Sequence, residues 1–381
     1  MRLAIVKEDL SVEPRVAGSP DTVKRYIGLG AEVFVSSGAG FASGIGDSEY
    51  EGAGARVVAD NAAAVAGADI VLGVRRPAAA ALKGVNPGAL AIAIMDPHGH
   101  ESELEALAKA GVSSFAMELM PRITRAQVMD VLSSQANLAG YRAVVDAAAE
   151  FGRAFPMMMT AAGTVPAARV FVMGAGVAGL QAIATARRLG AVVSATDVRP
   201  ASKEQVESLG AKFIAVEDEE FKQAETAGGY AKAMSAEYQA KQAALTATHI
   251  AKQDIVITTA LIPGRAAPQL VSAEMVASMK PGSVLIDLAV ERGGNVEGAV
   301  PGEVVVTANG AKIVGHLNVP GRLAATASQL YAKNLYAFVE TLVDKATKSL
   351  SVKWDDELVK ATLLTRDGVV VHPSFKPADA A

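Results

Sequence analysis

The sequence contains no cysteine and few aromatic residues. Phenylalanine, tyrosine and tryptophan together make up 5% of its 381 residues, although 51% of the chain is hydrophobic. Without cysteine there is no disulfide scaffold, no thiolate nucleophile, no iron–sulfur cluster and no cysteine-ligated zinc, and the composition suits a reducing compartment. The interior is therefore expected to consist mainly of alanine, valine and leucine.

Long hydrophobic runs and an excess of positive charge are also missing. A membrane-spanning helix needs about 20 consecutive apolar residues. The longest uncharged stretches, 154–168 and 170–186, are interrupted by two prolines and three glycines respectively. The apolar run before Lys7 has only four residues, too few for a secretory signal. The formal net charge of −4 offers no basic surface for nucleic acid. We expect a soluble, cytoplasmic protein that neither inserts into a membrane nor binds nucleic acid.

Short runs rich in valine and isoleucine alternate with amphipathic stretches of helical length, which is typical of βαβ units with parallel sheets. Two series of such units follow each other, so the predicted fold class is α/β, with two Rossmann-like domains. The predicted strands are Leu3–Val6, Ala31–Val35, Ala68–Val74, Ala89–Met95 and Ser113–Met117 in the first series, and Arg169–Met173, Ala191–Thr196, Lys212–Val216, Asp254–Thr259, Ser283–Leu288 and Lys312–Gly315 in the second.

Long helices are predicted to join the two domains. One is Thr124–Phe155, opened by a capping box between its first residue and Gln127, and the other is Leu323–Thr347. The tail, residues 350–371, predicts a hairpin that turns at 366–368 and packs back onto the N-terminal domain. The predicted domains are residues 1–123 with 321–381, and residues 124–320.

A glycine-rich turn follows the predicted strand Arg169–Met173. It reads Gly174-Ala175-Gly176-Val177-Ala178-Gly179, and a predicted helix follows it. In a dinucleotide-binding domain the first glycine permits the tight turn, the second lets the backbone approach a pyrophosphate, and the third allows close packing of helix and strand. The free N–H groups at the helix N-terminus attract the anion. A glycine turn without a ligand is the structural alternative.

An acid stands where such a domain holds the adenosine ribose. The next predicted strand ends in Thr196-Asp197-Val198-Arg199, about 20 residues beyond the glycines. A carboxylate here accepts hydrogen bonds from the ribose hydroxyls and repels a 2′-phosphate, whereas Arg199 would tolerate that phosphate. We expect Asp197 to dominate and the site to prefer NAD(H) to NADP(H). In the alternative, Asp197 caps a helix.

A second candidate site lies in the segment MELMPRITRAQVMDVLSSQ, residues 117–135. On a helix, Gln127, Asp130 and Ser133 recur every three residues and form one polar edge among apolar neighbours. Three adjacent groups with donor and acceptor capacity are able to hold a carboxamide and its ribose. The same residues also fit an ordinary first helical turn in which Asp130 favours the helix dipole, and the spacing does not separate the two interpretations.

Other segments leave alternatives open. Residues 217–247 are polar and contain Gly228-Gly229, so they hold either a functional lid or a solvated insertion. His98 and His100 follow a predicted strand, where either an acid–base catalyst or a surface loop is found. Met157–Met159 is expected to pack where the two domains meet, or to flank a cofactor pocket. No histidine pair or carboxylate cluster has the spacing of a metal site, so no metal is expected.

The sequence from Ala116 to Gly179 resembles the NAD(H)-binding component, domain I, of proton-translocating NAD(P) transhydrogenases. The motifs that carry the resemblance are AMELMPRITRAQ, MDVLSSQANLAGYRAV, FPMMMTAAGTVPAARV and GAGVAGLQAIATA. It continues through TDVR at 196–199, AETAGGYAKAM, TTALIPG, MKPGSVLIDLAVERGGN and VGHLNVP at 314–320. The chain is more distantly similar to alanine dehydrogenase, which shares the fold.

This resemblance implies a function. NADH held by this chain would pass a hydride directly to NADP⁺ on a separate NADP(H)-binding component, in a reaction of the Si-specific/Re-specific type. A membrane-spanning component would couple the transfer to proton movement. The chain would form a homodimer in the cytoplasm, peripheral on the inner face of the membrane and held there only by its partner subunits.

The resemblance also assigns roles to residues. Gln127, Asp130 and Tyr230 are the implied catalytic residues, and Asp197 matches the ribose-binding acid. In the family, the tyrosine lies on a mobile loop, near 222–234 here, that closes over bound nucleotide, which favours a lid. The implied cofactor contacts are Arg122, Gln127, Asp130, Ser133, Gly174, Ala175, Gly176, Val177, Ala178, Gly179, Asp197, Val198, Arg199, Gly229, Tyr230 and, as lesser contacts, Gln242 and Leu261.

A free-standing enzyme similar to alanine dehydrogenase is the alternative. Arg15 stands where that family holds the substrate carboxylate. The family's catalytic lysine, however, corresponds to Arg75, its late aspartate to Glu291, and its histidine falls near Asp96-Pro97 rather than on His98. An arginine, with a pKa above about 12, cannot serve as the base that a lysine provides. We therefore rank the transhydrogenase component first and a catalytically silent NAD-binding module last.

Overall fold

The computed structural model describes residues 1–223, 234–262 and 264–376. The strands, β1 to β19 in chain order, are Arg2–Ile5, Glu32–Ser36, Arg56–Val58, Ile70–Arg75, Leu90–Ile94, Ser113–Ala116, Met158–Thr160, Gly163–Val165, Arg169–Met173, Val192–Thr196, Lys212–Phe213, Ile255–Thr258, Val284–Asp287, Val304–Val306, Lys312–Val314, Val343–Asp344, Ser349–Leu350, Leu363–Arg366 and Val369–Val370. The α-helices, α1 to α12, are Pro20–Gly28, Asp47–Gly52, Asn61–Val65, Glu101–Lys109, Val131–Glu150, Val177–Arg188, Ser202–Ser208, Glu219–Lys222, Ala236–Ile250, Ala273–Ala277, Ala324–Thr341 and Glu357–Thr362.

The first compact unit consists of Met1–Gln135 and of the chain from Pro320 onward. Its sheet has the order β19-β18-β6-β5-β4-β1-β2-β3. Strands β1 to β6 are parallel, and they follow the doubly wound order of a Rossmann fold. Leu3 and Ile5 belong to one buried cluster and Ala4 to another, because successive strand residues point to opposite faces of the sheet.

The second compact unit is Ala136–Val319. Its sheet has the order β11-β10-β9-β12-β13-β15-β14, in which β14 alone of these strands is antiparallel to its neighbour. The parallel strands repeat the doubly wound order. Val170 and Val172 of β9 lie in one buried cluster and Phe171 in another, so this sheet is also covered on both faces.

The predicted fold class, α/β with two Rossmann-like domains, is confirmed by these two sheets. The predicted hairpin of the tail is present only from Leu363 to Val370, because Glu357–Thr362 forms the helix α12. Strands β18 and β19 are antiparallel, and Asp367 and Gly368 at the turn have φ values of +51° and +82°. Strand β18 pairs with β6, so the tail joins the sheet of the first unit. The division between the two units falls within α5, whereas the sequence-based boundary stood at residue 124.

The predicted helix Thr124–Phe155 is wrong at its start. Thr124–Met129 is a 3₁₀ helix, Asp130 has an extended ψ of 93°, and α5 begins only at Val131. The predicted capping box is wrong as well, because the residue before the 3₁₀ helix is Ile123, whose side chain cannot cap. Instead, the Asp130 carboxylate accepts hydrogen bonds from the N–H and Oγ of Ser133, at 2.9 and 2.5 Å, and so caps α5.

The second predicted long helix, Leu323–Thr347, ends early. Helix α11 stops at Thr341, and β16 and β17 form a short antiparallel pair after it. The Asp344 carboxylate accepts from the N–H groups of Ala346 and Thr347, at 2.8 and 3.1 Å. Side chains that bond to nearby backbone compete with helical hydrogen bonds, which the hydrophobic pattern of the sequence does not reveal.

The Met157–Met159 run, expected to pack where the two domains meet or to flank a cofactor pocket, is exposed within the described chain. The three side chains are 62%, 42% and 80% exposed. Strand β7 contains two of them and pairs only with β8, so this two-stranded hairpin leaves its side chains in solvent within the described chain.

Strands β3 and β14 were not predicted. Both are three-residue strands at the edges of their sheets, where the apolar signal is short.

Candidate functional site

The carboxyl ends of β9 and β10 bring the glycine turn and Asp197 together. Met173 and Thr196 pair in the parallel ladder, so the residues after them leave the sheet side by side. The Gly174 N–H donates to the Thr196 carbonyl at 2.9 Å, and the Ala175 N–H donates to the Asp197 carboxylate at 2.7 Å. The pairing of these two strands builds the corner that the sequence spacing predicts.

Each glycine of the turn meets a different steric demand. Gly174 has a φ of +103°, which favours glycine, and a Cβ there would lie 2.5 Å from Thr259 Oγ1. A Cβ on Gly179 would lie 1.8 Å from the Gly174 carbonyl oxygen, so α6 comes very close to the strand end. A Cβ on Gly176 would meet no atom within 4 Å. The open space at Gly176 fits a pyrophosphate, which needs a close approach to the backbone.

The N-terminus of α6 adds hydrogen-bond donors to this corner. Gly176 is its N-cap residue, and no described side chain caps the helix. The N–H groups of Val177, Ala178 and Gly179 therefore have no partner within the helix. Gly176 and Val177 are exposed, Ala178 is half-buried and Gly179 is buried. Unpaired N–H groups at the positive end of a 12-residue helix form a site for an anion.

The Asp197 carboxylate is buried and paired. It accepts from the N–H, Nε and Nη2 of Arg199, each at 2.9 Å. Burial acts to raise the pKa of Asp197, but the Arg199 guanidinium and the Ala175 N–H outweigh it and hold that pKa below its usual range. Val198, between the two partners, is 51% exposed. The acid is thus ionised at neutral pH and held in one orientation.

The remaining predicted contacts of this unit lie near the corner or outside the described residues. Gln242 on α9 donates to Thr196 Oγ1 at 3.4 Å, beside the residue that precedes the acid. Leu261 follows β12 and is 54% exposed. Gly229 and Tyr230, which the resemblance assigns to a closing loop, lie outside the described residues.

The polar edge of the first unit is divided between two elements. Gln127 is exposed in the 3₁₀ helix, Asp130 is half-buried at the break, and Ser133 is half-buried in the first turn of α5. The regular helical spacing from which this edge was predicted is therefore wrong. Asp130 caps α5, as in the ordinary interpretation of a first turn, while Gln127 remains exposed. Arg122 is exposed just before the 3₁₀ helix.

Arg15 and Arg75, which were compared by sequence with positions in alanine dehydrogenase, both bind the buried carboxylate of Glu13 in the first unit. Arg15 donates to the Glu13 carboxylate through Nε and Nη2, both at 2.7 Å, and to Gln135 Oε1 through Nη1 at 2.8 Å. Arg75 Nε donates to the same carboxylate at 2.9 Å. The Arg15 guanidinium is thus bound by a carboxylate of the chain itself.

The two histidines after β5 lie in a tightly bonded surface loop. His98 is exposed and its ring packs on Phe375, with 4.8 Å between ring centroids. His100 Nδ1 lies 2.8 Å from the Asp96 carbonyl oxygen. Asp96 has a φ of +44°, and its N–H donates to the Glu118 carboxylate at 2.5 Å. Across residues 1–223, 234–262 and 264–376, no three His, Cys, Asp or Glu side chains are grouped to hold a metal ion.

Glu8, whose charge interacts with that of Glu13, makes the stability of the fold depend on pH. Its Oε1 accepts from the N–H of Val74 at 2.6 Å, and burial raises its pKa from 4.5 to about 7. Between those pH values the folded chain keeps a proton that the unfolded chain has lost, so the free energy of unfolding falls as pH rises through this window. We expect Glu8→Gln to raise the melting temperature at pH 8 and to change it little at pH 5.

A suitable control for Glu8 is its neighbour Asp9. Hydrogen bonds from Ser11 lower the pKa of Asp9, so its charged form favours folding. Asp9→Asn should therefore leave the melting temperature unchanged or lower it at pH 8. Thermal unfolding at both pH values checks the prediction, and a melting temperature of Glu8→Gln below that of the wild type at pH 8 would contradict it.

Two models of one family match nearly the whole chain. The alanine dehydrogenase/PNT N-terminal domain matches residues 4–139 and the alanine dehydrogenase/PNT C-terminal domain matches residues 143–373. The NAD(P) transhydrogenase alpha subunit chain of Rhodospirillum rubrum is 57% identical, over 98% of this chain and 99% of its own length. The crystal structure of transhydrogenase from Sinorhizobium meliloti is 64% identical with a TM-score of 0.89, covering 97% of this chain and 100% of that chain.

Alanine dehydrogenases are more distant. The enzyme of Halomonas elongata is 30% identical over 99% of this chain and 96% of its own length. A solved L-alanine dehydrogenase is 26% identical with a TM-score of 0.82, covering 98% of both chains. Both family models match this chain, and the transhydrogenases are 57% and 64% identical to it, whereas the alanine dehydrogenases are 30% and 26% identical. The chain therefore belongs to the alanine dehydrogenase/PNT family and, within it, stands with the NAD(P) transhydrogenase alpha subunits.

Proposed function

We propose that this chain is the NAD(H)-binding component of a proton-translocating transhydrogenase of the Si-specific/Re-specific type. A hydride would pass directly from NADH on this chain to NADP⁺ on a partner component. The observation that carries the proposal is the corner of Gly174, Gly176 and Asp197, in a chain whose relatives are named transhydrogenase alpha subunits. The alternative, alanine dehydrogenase chemistry, needs a lysine base, and Arg75 stands there instead, bound to Glu13.

The residues present fit NAD(H). The open space at Gly176 and the N–H groups of α6 suit the pyrophosphate, and the ionised Asp197 suits the adenosine ribose hydroxyls. The polar edge supplies donors and acceptors for the carboxamide and its ribose. The proposed cofactor contacts are Arg122, Gln127, Asp130, Ser133, Gly174, Ala175, Gly176, Val177, Ala178, Gly179, Asp197, Val198, Arg199, Gly229, Tyr230, Gln242 and Leu261.

The chain's own residues would act by position. Bound NADH supplies the hydride from C4 of its dihydronicotinamide ring. No side chain of this protein has to accept or release a proton in that step, so Gln127, Asp130 and Tyr230 would orient the ring and exclude water around it. Asp130 is suited to this role because both of its carboxylate oxygens already accept from Ser133, which holds its side chain still.

We further propose that the chain acts as a homodimer on the inner face of a membrane, held by partner subunits. One partner would bind NADP(H) and another would span the membrane and move the proton. The subunit names of the relatives support the presence of partner chains. In the part of this chain that the structure describes, no helix has the length and apolar character needed to cross a membrane.

One assay separates the two functions. The purified chain is expected to bind NADH, and to leave it unoxidised when pyruvate and ammonia are added, because the lysine base is missing. Addition of an NADP(H)-binding transhydrogenase component should start hydride transfer to NADP⁺. Absorbance follows the transfer when NADP⁺ is replaced by an analogue whose reduced form absorbs at a different wavelength from NADH. Rapid turnover with pyruvate alone, or no transfer with a partner that is active with another NAD(H)-binding component, would contradict the proposal.

Two conservative variants test the positioning residues. Asp130→Asn keeps a residue that caps helices well, and Tyr230→Phe removes a single hydroxyl. We expect each to slow hydride transfer by roughly 10-fold or more, since small misplacements of a reacting ring cost large factors in rate, while NADH affinity falls less. Single-turnover transfer and NADH fluorescence titration provide the two measurements. Small and equal effects on both would identify these residues as bystanders.

A further inference from the structure

The chain breaks at Asp130, between the end of the 3₁₀ helix at Met129 and the start of α5 at Val131. Gln127 lies before the break and Ser133 after it, so the geometry of the polar edge depends on the angle between the 3₁₀ helix and α5. One buried side chain bonds to both elements. Asn334 on α11 donates through Nδ2 to the Val128 carbonyl at 2.8 Å and accepts at Oδ1 from Ser134 Oγ at 2.7 Å.

The environment of Asn334 makes these bonds strong constraints. The residue is 8% exposed. Its donor and its acceptor are each satisfied by a different element, and a buried polar group that loses its partner pays a desolvation penalty rather than rebonding to water. Its neighbour Phe338 and the helix that carries it belong to the core of the first unit. The amide therefore ties the segment on either side of Asp130 to a rigid helix.

A second set of bonds holds the first turns of α5 from the other side. Gln135 Nε2 donates to the Ala327 carbonyl at 3.2 Å, and its Oε1 accepts from Arg15 at 2.8 Å. Arg15 is itself held by both carboxylate oxygens of Glu13. This network restrains α5 but does not reach the 3₁₀ helix. Among the described contacts here, the amide of Asn334 is the one that bonds to both sides of the break.

We propose that Asn334 is a positioning residue for hydride transfer, which sets the geometry of Gln127, Asp130 and Ser133 by bridging the break between the 3₁₀ helix and α5. The inference rests on the proposed function. Asn334 would thus help to position the nicotinamide ring although it touches no reacting atom. It lies 200 positions after Ser134, the residue of α5 that it bonds.

Three variants test the role. Asn334→Ala removes both bonds, and Ser134→Ala removes one of them. Thr365→Val is the matched control, because Thr365 is fully buried in the same unit and its hydroxyl bonds to the Val112 carbonyl at 2.8 Å and to Ser114, away from the polar edge. The four proteins are compared by melting temperature, NADH titration, single-turnover transfer with an NADP(H)-binding component, and amide hydrogen exchange over residues 124–135.

Asn334→Ala should slow hydride transfer by roughly 10- to 100-fold and speed amide exchange between residues 127 and 134, with NADH affinity changed less than about twofold, since most of the nucleotide would be held by the second unit. Ser134→Ala should be intermediate. Thr365→Val should lower the melting temperature to a similar extent and leave transfer within about twofold of the wild type.

The outcomes that overturn the inference differ from those that overturn the proposed function. Normal transfer by Asn334→Ala, or equal losses of transfer in Asn334→Ala and Thr365→Val, would show that Asn334 only stabilises the fold. Unchanged amide exchange around Asp130 would do the same. If the wild type transfers no hydride with a competent partner, the proposed function itself fails, and the exchange measurement still reports whether Asn334 holds the break.

Discussion

Gly179→Ala is expected to destabilise the second unit by about 3 kcal/mol, the upper end of the usual cost of overpacking. The added Cβ would lie 1.8 Å from the Gly174 carbonyl oxygen, and a backbone atom cannot turn aside as a flexible side chain does. Helix α6 would have to move away from β9. The melting temperature of this unit should fall by roughly 6–12 °C, and NADH binding should be lost with it.

Gly176→Ala is the matched control, because it adds the same methyl group three residues earlier. Here the Cβ meets no protein atom within 4 Å, and the φ of −76° suits any residue. Stability should fall by no more than about 1 kcal/mol, whereas NADH affinity should drop sharply because the methyl group occupies the space proposed for the pyrophosphate. Thermal unfolding and NADH titration of both variants check the pair. Normal NADH binding by Gly176→Ala would contradict the proposed site.

Asp197→Ala is expected to weaken NADH binding by roughly 10- to 100-fold, the usual range for loss of hydrogen bonds to a charged group. It should also reduce the preference for NADH over NADPH. With the carboxylate gone, the repulsion of a 2′-phosphate disappears and the Arg199 guanidinium loses the partner that it now bonds at 2.9 Å. Titrations with NADH and NADPH measure both effects. An unchanged ratio of the two affinities would show that Asp197 does not read the ribose.

Asp254→Ala separates this binding effect from loss of stability. Asp254 is also a buried carboxylate. It accepts from the Arg153 guanidinium at 2.5 Å and from the Arg169 backbone N–H at 2.9 Å, but it precedes β12 rather than following a strand. This variant should lose stability without a change in nucleotide preference.

Since the pKa of Asp197 is lowered in the folded chain, its contribution to stability is present at neutral pH and is lost as pH falls below about 4.

The corner formed by Gly174, Gly176 and Asp197 could be predicted because its signals are local. A short apolar run predicts β9, whose bounds Arg169–Met173 agree with the prediction, and three glycines at short spacing mark the turn into α6. Asp197 lies at the end of the next strand, and parallel neighbours in a doubly wound sheet end side by side. The strand register then places the glycine turn beside Asp197, because Met173 pairs with Thr196.

The polar edge could be predicted only in part, because its shape depends on contacts between distant residues. The alternation of polar and apolar residues predicts one helix through Asp130. Instead, the 3₁₀ helix ends at Met129, and the Asp130 side chain caps α5. The bond from Asn334 to the Val128 carbonyl joins residues 206 positions apart. A single sequence contains no sign of such a pair, so neither the break nor its support was predicted.

The sequence by itself determined the two α/β units, the glycine turn and the acid after β10, because periodicity, steric freedom and residue spacing act over a few neighbouring residues. Only the tertiary structure decided which polar groups meet. The sequence does not indicate which group Glu13 binds, and in the folded chain its carboxylate binds both Arg15 and Arg75. Buried charges must pair with whatever the fold brings within reach. The cost of leaving them unpaired, rather than any local pattern, therefore shaped this region of the protein.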